Sequence, residues 1–449
     1  MTLQAPLAQL IEILSAEPLH ISSALTSQQV QGVNTDTRSL KSNEIFLAFS
    51  GENFDGHRFA ESAVQQGAIA AIVDHPIDAA IPQLVVPDTL VAYQRLGQWW
   101  RQQFQIPIIA ITGSVGKTTT KELISAVLGT AGSVLKTEAN YNNEIGVPKT
   151  LLGLTPNHDY AVVEMGMRGP GEIAELSQIA QPTIGVITNV GTAHIGRLGS
   201  REAIANAKCE LLAQMPSDSL AVLNADNSLL IETAQTVWSG AQVTYGLGSG
   251  DLQGQLETQT LQVAGHSFPL PLPGAHNALN YLAALAIAQH LNLDLTPLQR
   301  GISLELPSGR ARKLTLPNDV VVLDETYNAG LESMQAALHL LAQTPGERRI
   351  AVLGPMKELG DYAAELHRQV GRLVQELNID QLLILDEGSE GTALAAGATT
   401  IPTQQFAEHQ ALIDYLDQHI QSGDRLLCKA SHSVGLDRIV DHLTQSLVR

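Results

Sequence analysis

Blocks of apolar positions separated by polar, glycine-rich turns run along the chain, and the sharpest is Ile106 to Ile111. Its β-branched, uninterrupted character predicts an interior parallel strand. A glycine turn follows, and Leu123, Ile124, Val127 and Leu128 then fall on one helical face that stops at Gly129. Strand, turn and helix in that order build a phosphate cradle. Gly113 and Gly116 would let the backbone approach an anion, and the helix N-terminus would aim free amides and its positive dipole end at it. Lys117 would add a point charge, and the Thr118 hydroxyl can ligate Mg²⁺. The run Gly113, Ser114, Val115, Gly116, Lys117, Thr118 and Thr119 therefore predicts a nucleoside triphosphate site. The full G-x-x-x-x-G-K-[ST] pattern would place glycine at 111, where this chain has Ile111, so the turn is a shortened variant.

The blocks divide into three α/β units: a small module over residues 1–105, a doubly wound, mostly parallel sheet over 106–312, and a Rossmann-like domain over 313–449. In the first, short strands are expected at Gln31–Thr35 and Glu44–Phe49, a helix at Phe59–Gln66 and a strand at Ala68–Val73. Beside them lie the polar clusters Thr35–Ser39 and Gly51–His57, in which Arg38 can fork onto a phosphate and Asp55 can accept from hydroxyls. In the second, strands at Ile106–Thr112, Asp159–Val163 and Thr183–Thr188 end in the cradle, in Glu164–Arg168 and in Asn189–His194. Ligands of open parallel sheets sit beyond the carboxyl ends of strands, so these groups should converge. Glu164 stands where a carboxylate can reach the Mg²⁺ of a nucleotide, and His194 can supply a neutral imidazole.

Other polar residues have plainer alternatives. Lys208, on the helix from Arg201 to Leu212, reads by itself as a solvated helix residue. The loop Thr137–Pro148 carries Asn140, Asn142 and Asn143 and suits a polar ligand, or is a turn-rich connection. Asn277 and Asn280 share a face of the Ala-rich helix that starts at Ala275, where they can read an adenine edge or cap the helix. In the last unit, strands at Asp319–Leu323, Arg349–Leu353, Gln381–Leu385 and Arg425–Cys428 alternate with helices at Ser333–Ala342 and Ala363–Leu377. Leu436, Ile439, Val440 and Leu443 mark a closing amphipathic helix. Such a second sheet facing a nucleotide is the layout of an enzyme that closes over its substrates.

Composition narrows the partners. A net charge of -19 over 449 residues argues against a nucleic-acid or anionic-membrane surface and favours a small substrate. No apolar run approaches the roughly 20 residues that span a bilayer, so no membrane insertion is expected. Two cysteines, Cys209 and Cys428, and the lack of a cationic start with an apolar core point to a reducing cytoplasm.

Taken together, the cradle, Asn140–Pro148, Glu164–Ile173, Asn189–His194, Gly274–Asn280, Ser308–Arg310 and Asp324–Met334 resemble the ATP-dependent Mur ligases of peptidoglycan precursor synthesis. The likeness covers essentially the whole chain, and the shortened turn at Ile111 is part of it. It implies an ATP-dependent acid–amino-acid ligase in which ATP phosphorylates a peptide carboxylate and an amine attacks the acyl phosphate. UDP-N-acetylmuramoyl-tripeptide and D-alanyl-D-alanine would be the substrates, and ATP and Mg²⁺ the cofactors; apart from the resemblance, a monomer is the default expectation. Lys117, Glu164, His194 and Lys208 would be catalytic, with Thr118, Glu164, His194 and a carbamylated Lys208 around the metal ions. Asn277, Asn280, Arg310, Asp324 and Asn328 would join the cradle in holding ATP. Thr37, Arg38, Asp55 and His57 would hold the uridine diphosphate end, and Asn140, Asn142, Asn143 and Lys429 other parts of the substrates. The chain departs from the family at Lys429–His432, where arginine is usual in place of His432, and in the loop after Asp324. The ligase that adds the diamino acid one step earlier is the alternative within the family, although its Asp-Asn-Pro-Arg stretch is missing. A P-loop NTPase switch is the alternative outside it.

Overall fold

A continuous apolar strand is stable only with both faces covered, and Ile108–Thr112, buried along its whole length, lies inside a nine-stranded sheet. The computed structural model describes residues 3–52 and 54–446; Asn53, within the Gly51–His57 cluster, lies outside the described residues. Sheet order is Val134–Lys136, Tyr160–Glu164, Ile108–Thr112, Ile184–Ile187, Leu220–Asn224, Ala241–Gly246, Leu252–Glu257, Thr260–Val263 and His266–Pro269. Pairing is parallel as far as Leu252–Glu257, and two antiparallel strands complete the sheet. Register sets Ile111 beside Glu164 on one side and Val186 on the other, so the three chemically equipped strand ends finish level.

One face of this sheet is covered by the helices Lys117–Leu128 and Ala275–His290, whose Leu123, Ile124, Tyr281, Leu282 and Leu285 are fully or almost fully buried. Each such side chain contributes about 1.5–3 kcal/mol of burial. The strands between 241 and 269 were not expected from the sequence. Their half-exposed, glutamine-rich alternation carries little apolar signal, and pairing to the preceding strand recruits them.

The last unit is a six-stranded sheet ordered Arg312–Leu316, Val320–Asp324, Asp424–Lys429, Arg348–Leu353, Gln381–Ile384 and Thr403–Gln405. Its first strand pairs antiparallel at the edge and went unread because it straddles the expected change of unit at 312/313. The first unit is a five-stranded sheet in which the expected strand at Gln31–Thr35 shrinks to Val33–Asn34. The expected helix at Phe59–Gln66 splits into a 3₁₀ turn, Gly56–Phe59, and a helix, Ala60–Gln65. Asp88 caps the helix Thr89–Arg101 by accepting from Val91 N, and this helix fastens the first unit to the second. Trp100 Nε1 donates to Leu154 O at 3.0 Å, and the buried Arg101 guanidinium donates to the carbonyls of Ala180, Gln181 and Phe104. Among the described residues no helix is long and apolar enough to cross a membrane.

Candidate active site

The cradle is a loop that only glycine can build at two points. Gly113 has φ 155°, and a Cβ there would lie 1.9 Å from Thr188 Oγ1; Gly116 has φ 82°, and a Cβ would lie 2.8 Å from Asn280 Oδ1. The strand end at Thr188 and Asn189 clamps the loop. Thr188 Oγ1 donates to Val115 O at 2.7 Å, and the Asn189 side chain both accepts from Val115 N and donates to Val115 O, each at 3.0 Å. Ser114 Oγ accepts from Gly191 N. No side chain caps the helix that starts at Lys117, which leaves first-turn amides for an anion, and Thr118 and Thr119 are buried at its start. Lys117 folds back across the loop and donates to Gly113 O at 2.7 Å. Burial pulls its amine below the ordinary lysine range, opposed by Glu164 and assisted by Arg310.

Glu164 is 2% exposed; its Oε1 accepts from Asn142 Nδ2 at 2.9 Å, and its Oε2 is buried without a hydrogen-bond partner. An orphaned carboxylate oxygen is costly unless something else completes it. Glu164 ends its strand level with the strand that leads into the cradle carrying Thr118, and oxygen donors of this kind are hard ligands that fit Mg²⁺. Lys117 senses Glu164, and His194 senses both Lys117 and Lys208, so all four expected catalytic groups share one electrostatic neighbourhood. His194 lies at φ 66°, with Nδ1 2.5 Å from Glu358 Oε2. Burial lowers its pKa below the usual imidazole value, Glu358 opposing.

Lys208 is not solvated: it is 1% exposed. Ile204, Lys208 and Leu211 repeat on the inward face of the helix Arg201–Gln214, so the lysine takes a core position. Burial, reinforced by the positive charge of Lys117, drives its amine well below the ordinary value, with Cys209 and Glu332 opposing.

Across from the cradle, the connection into the last unit presents a second cationic group. Arg310 lies 3.7 Å over the Tyr327 ring, with its Nε buried and unpartnered, and His432 stacks on Tyr327 at 5.7 Å. His432 thus gives the Tyr327 ring a second planar neighbour. Lys429 Nζ donates to Asn328 O at 2.8 Å and lies 3.9 Å from Glu325, whose carboxyl burial pushes up. Asp324 Oδ1 accepts from Thr326 Oγ1. Lys429 therefore sits with Asp324, Asn328 and Arg310, beside residues expected for ATP, and its charge reaches His276 next to Asn277. Asn277 and Asn280 are buried; Asn277 Nδ2 donates to Pro273 O, and Asn280 Nδ2 donates to Asn277 Oδ1.

The N-terminal clusters lie apart from this neighbourhood. Arg38 is exposed and forked onto Asp36, whose carboxyl it holds down to about 2. Thr37 beside it is half-buried. Asp36 also senses Lys149, which sits 3.9 Å over the Tyr141 ring, so this loop faces the Asn140–Asn143 segment. Asn142 has the Glu164 contact, Asn143 Oδ1 accepts from Gly146 N, and Asn140 is exposed. The buried His57 ring is engaged at both nitrogens: Nδ1 meets Asp55 Oδ1 at 2.8 Å, and Nε2 accepts from Asp74 N. His57, Asp74 and His75 have ligand atoms within 4.8 Å of one another, but those hydrogen bonds already occupy His57.

Two residues at the cradle went unread. Glu332 accepts from Thr192 N at 2.8 Å, and Glu358 meets His194. Glu332 lies within the Asp324–Met334 segment and Glu358 in a strand-end loop, Gly354–Gly360, and those positions were the signals that could have found them.

A shortened P-loop on a parallel sheet, faced by strand-end carboxylate and imidazole groups and overhung by a second α/β sheet, defines a P-loop nucleotide-binding protein. The chain belongs to the Mur ligase family: residues 111–288 match the Mur ligase middle domain, 309–432 the Mur ligase, glutamate ligase domain, and 29–95 the Mur ligase family, catalytic domain. It is 56% identical over 428 residues to the UDP-N-acetylmuramoyl-tripeptide–D-alanyl-D-alanine ligase of Synechocystis sp., covering 95% of this chain and 94% of that protein. A crystal structure of MurF from Acinetobacter baumannii superposes with a TM-score of 0.89 at 32% identity, covering 99% of each chain. MurF ligase from Thermotoga maritima in complex with ADP superposes with a TM-score of 0.84 at 26% identity, covering 95% of this chain and 99% of that one. The family resemblance read from the motifs is thereby borne out.

Proposed function

We propose that this chain is an ATP-dependent amide ligase that joins D-alanyl-D-alanine to UDP-N-acetylmuramoyl-tripeptide, giving the pentapeptide precursor of peptidoglycan, ADP and phosphate. The observation that carries the reading is the gathering of Lys117, Glu164, His194 and Lys208 at one sheet edge, in a chain similar end to end to ligases of that name. In the first half-reaction a carboxylate oxygen of the tripeptide attacks the γ-phosphorus of ATP and ADP leaves. In the second, the dipeptide amine attacks the acyl carbon, the C–O bond to phosphate breaks and the amide forms.

Lys117 and the loop amides stabilise charge on the transferring phosphoryl group. Thr118 and Glu164 would hold Mg²⁺, with His194 and a carbamylated Lys208 toward a second ion; bound there, the metal neutralises phosphate oxygens. The lowered amine of Lys208 supports this role, since only the neutral amine can take up CO₂. Asn277, Asn280, Arg310, Asp324 and Asn328 would hold ATP. Thr37, Arg38, Asp55 and His57 would hold the uridine diphosphate end, and Asn140, Asn142, Asn143 and Lys429 other parts of the substrates. Residues 1–105, 106–312 and 313–449 would act as the nucleotide-sugar, ATP and closing units of a cytoplasmic monomer.

The test is phosphate release by the purified protein, given ATP, Mg²⁺ and UDP-muramoyl peptides, with D-alanyl-D-alanine or single diamino acids as acceptor. Release should require both the tripeptide nucleotide and the dipeptide. Turnover only with a diamino acid would move the assignment one step back in the family, and release without an acceptor would favour an NTPase switch.

A further inference from the structure

The loop from Asn189 to Gly199 is gripped from the last unit along its length. Thr192 N and Oγ1 donate to the Glu332 carboxylate at 2.8 and 3.2 Å. Gly196 N donates to Glu358 O at 3.1 Å, and Arg197 donates to Glu358 Oε1 at 3.0 Å. His194 Nδ1 lies 2.5 Å from Glu358 Oε2, and the Tyr362 hydroxyl donates to Gly199 O at 2.8 Å. The backbones come so close that a Cβ on Gly196 would lie 2.5 Å from Gly360 N. His194 and Glu358 are both non-glycine residues in the left-handed region, at φ 66° and 64°. Residues held there persist only where surrounding contacts over-determine them, and they gather at functional sites. Here the two strained residues meet each other across the gap between units.

We propose that Glu358 is a positioning residue that sets His194 for the nucleotide's metal ion, so that the readiness of that imidazole depends on docking of the last unit. The inference rests on the reading above for what the site binds. An imidazole that ligates through one nitrogen is usually oriented through the other, most often by a carboxylate. Glu358 stands at Nδ1 and leaves Nε2 as the free nitrogen. Arg197 meets the same carboxylate at its other oxygen, at 3.0 Å, and so helps to hold Glu358 in this position. Because Glu358 belongs to a different sheet from His194, undocking of the last unit would remove the orienting group and the backbone bond to Gly196 together. Glu332 holds the other end of the loop, so the grip has two carboxylates and one moving part.

Two measurements on the full-length protein test this, and neither reads turnover. One is hydrogen exchange of the segment 190–199 in the free protein; the other is calorimetric ADP affinity with and without Mg²⁺. Glu358→Ala should speed exchange of that segment about tenfold or more. It should also weaken the Mg²⁺-dependent part of ADP binding by roughly 10- to 100-fold, the usual cost of removing a partner behind a metal ligand. Metal-free ADP binding should stay at the wild-type level. Glu358→Gln, which keeps the shape and the contact to Arg197, should fall between, and covers the case in which the alanine variant fails to fold. Wild-type exchange and a wild-type Mg²⁺ effect in both variants would overturn the proposal. Equal weakening with and without Mg²⁺ would overturn it as well, by making Glu358 a support of the fold. A wild type that binds Mg²⁺ and ADP as expected but forms no amide would sink the ligase reading and leave this proposal standing.

Discussion

The cradle and the N-terminal polar loops use the same residue types in opposite states. Glu164 and Lys208 are held inside the protein with Lys117 half-buried beside them, and one Glu164 oxygen has no partner. Arg38 and Asp36 lie in water and satisfy each other, and His57 is closed off by Asp55 and Asp74. The cradle is thus preorganised: charge is fixed where a phosphoryl group would pass, and desolvation strengthens every interaction there. In the loops a ligand must first exchange places with an existing contact. That exchange is cheap, because exposed ion pairs are worth only about 0–1 kcal/mol. The unpaired Glu164 oxygen lies at the cradle, whereas the Arg38–Asp36 pair in the loops is one that water can replace.

Changes in the two regions should therefore differ in size and kind. The largest effect is expected for Lys117→Ala, with kcat for phosphate release lowered by about 10³-fold and a nearly unchanged melting temperature. A variant that stays active would erase the distinction between the regions. Gly113→Ala comes next. Its Cβ would collide with Thr188, and the about 1–3 kcal/mol cost of overpacking should appear as a roughly 10- to 100-fold loss of ADP affinity in calorimetry. Arg38→Ala should raise KM for the nucleotide-sugar substrate by about tenfold at most while leaving kcat alone, the pattern of a contact equally strong in ground and transition states. A fall in kcat would place Arg38 on the cradle's side of the comparison.

The smallest effect is one of stability. In CO₂-depleted buffer, where its amine is unmodified, Lys208→Met should stabilise the fold by about 1 kcal/mol at pH 7, as apolar replacement of a buried ionisable group often does. Burial lowers the Lys208 pKa from its ordinary 10.5, so the unfolded chain binds more protons and wild-type stability rises with pH until that value is reached. The gap in urea midpoint between variant and wild type should accordingly narrow from pH 7 toward pH 10. A gap that widens would show that Lys208 carries its charge comfortably in the folded protein.

Much of the cradle was legible because its determinants are local. Gly113, Gly116, Lys117 and Thr118 lie within six positions, and the strand and helix on either side announce themselves by periodicity. Glu164 and the segment ending at His194 were placed by the rule that parallel strands deliver their loops to one edge, and the register at Ile111 shows them level. The strands from 241 to 269 escaped because their stability comes from pairing, which a half-polar pattern does not advertise.

Spacing and residue type were enough to establish the phosphate-binding turn, the three α/β units in order and the family to which the chain belongs. Those properties depend on neighbours in sequence. Only the fold decided that Lys208 is buried, that Lys429 stands beside Asp324 and Asn328, that Glu164 keeps an unpaired oxygen and that Glu358 reaches His194. Each of these depends on groups between 22 and 164 positions apart, or on which face of a helix meets a neighbouring element. No local pattern encodes that information, because burial and charge coupling arise only when separate elements pack.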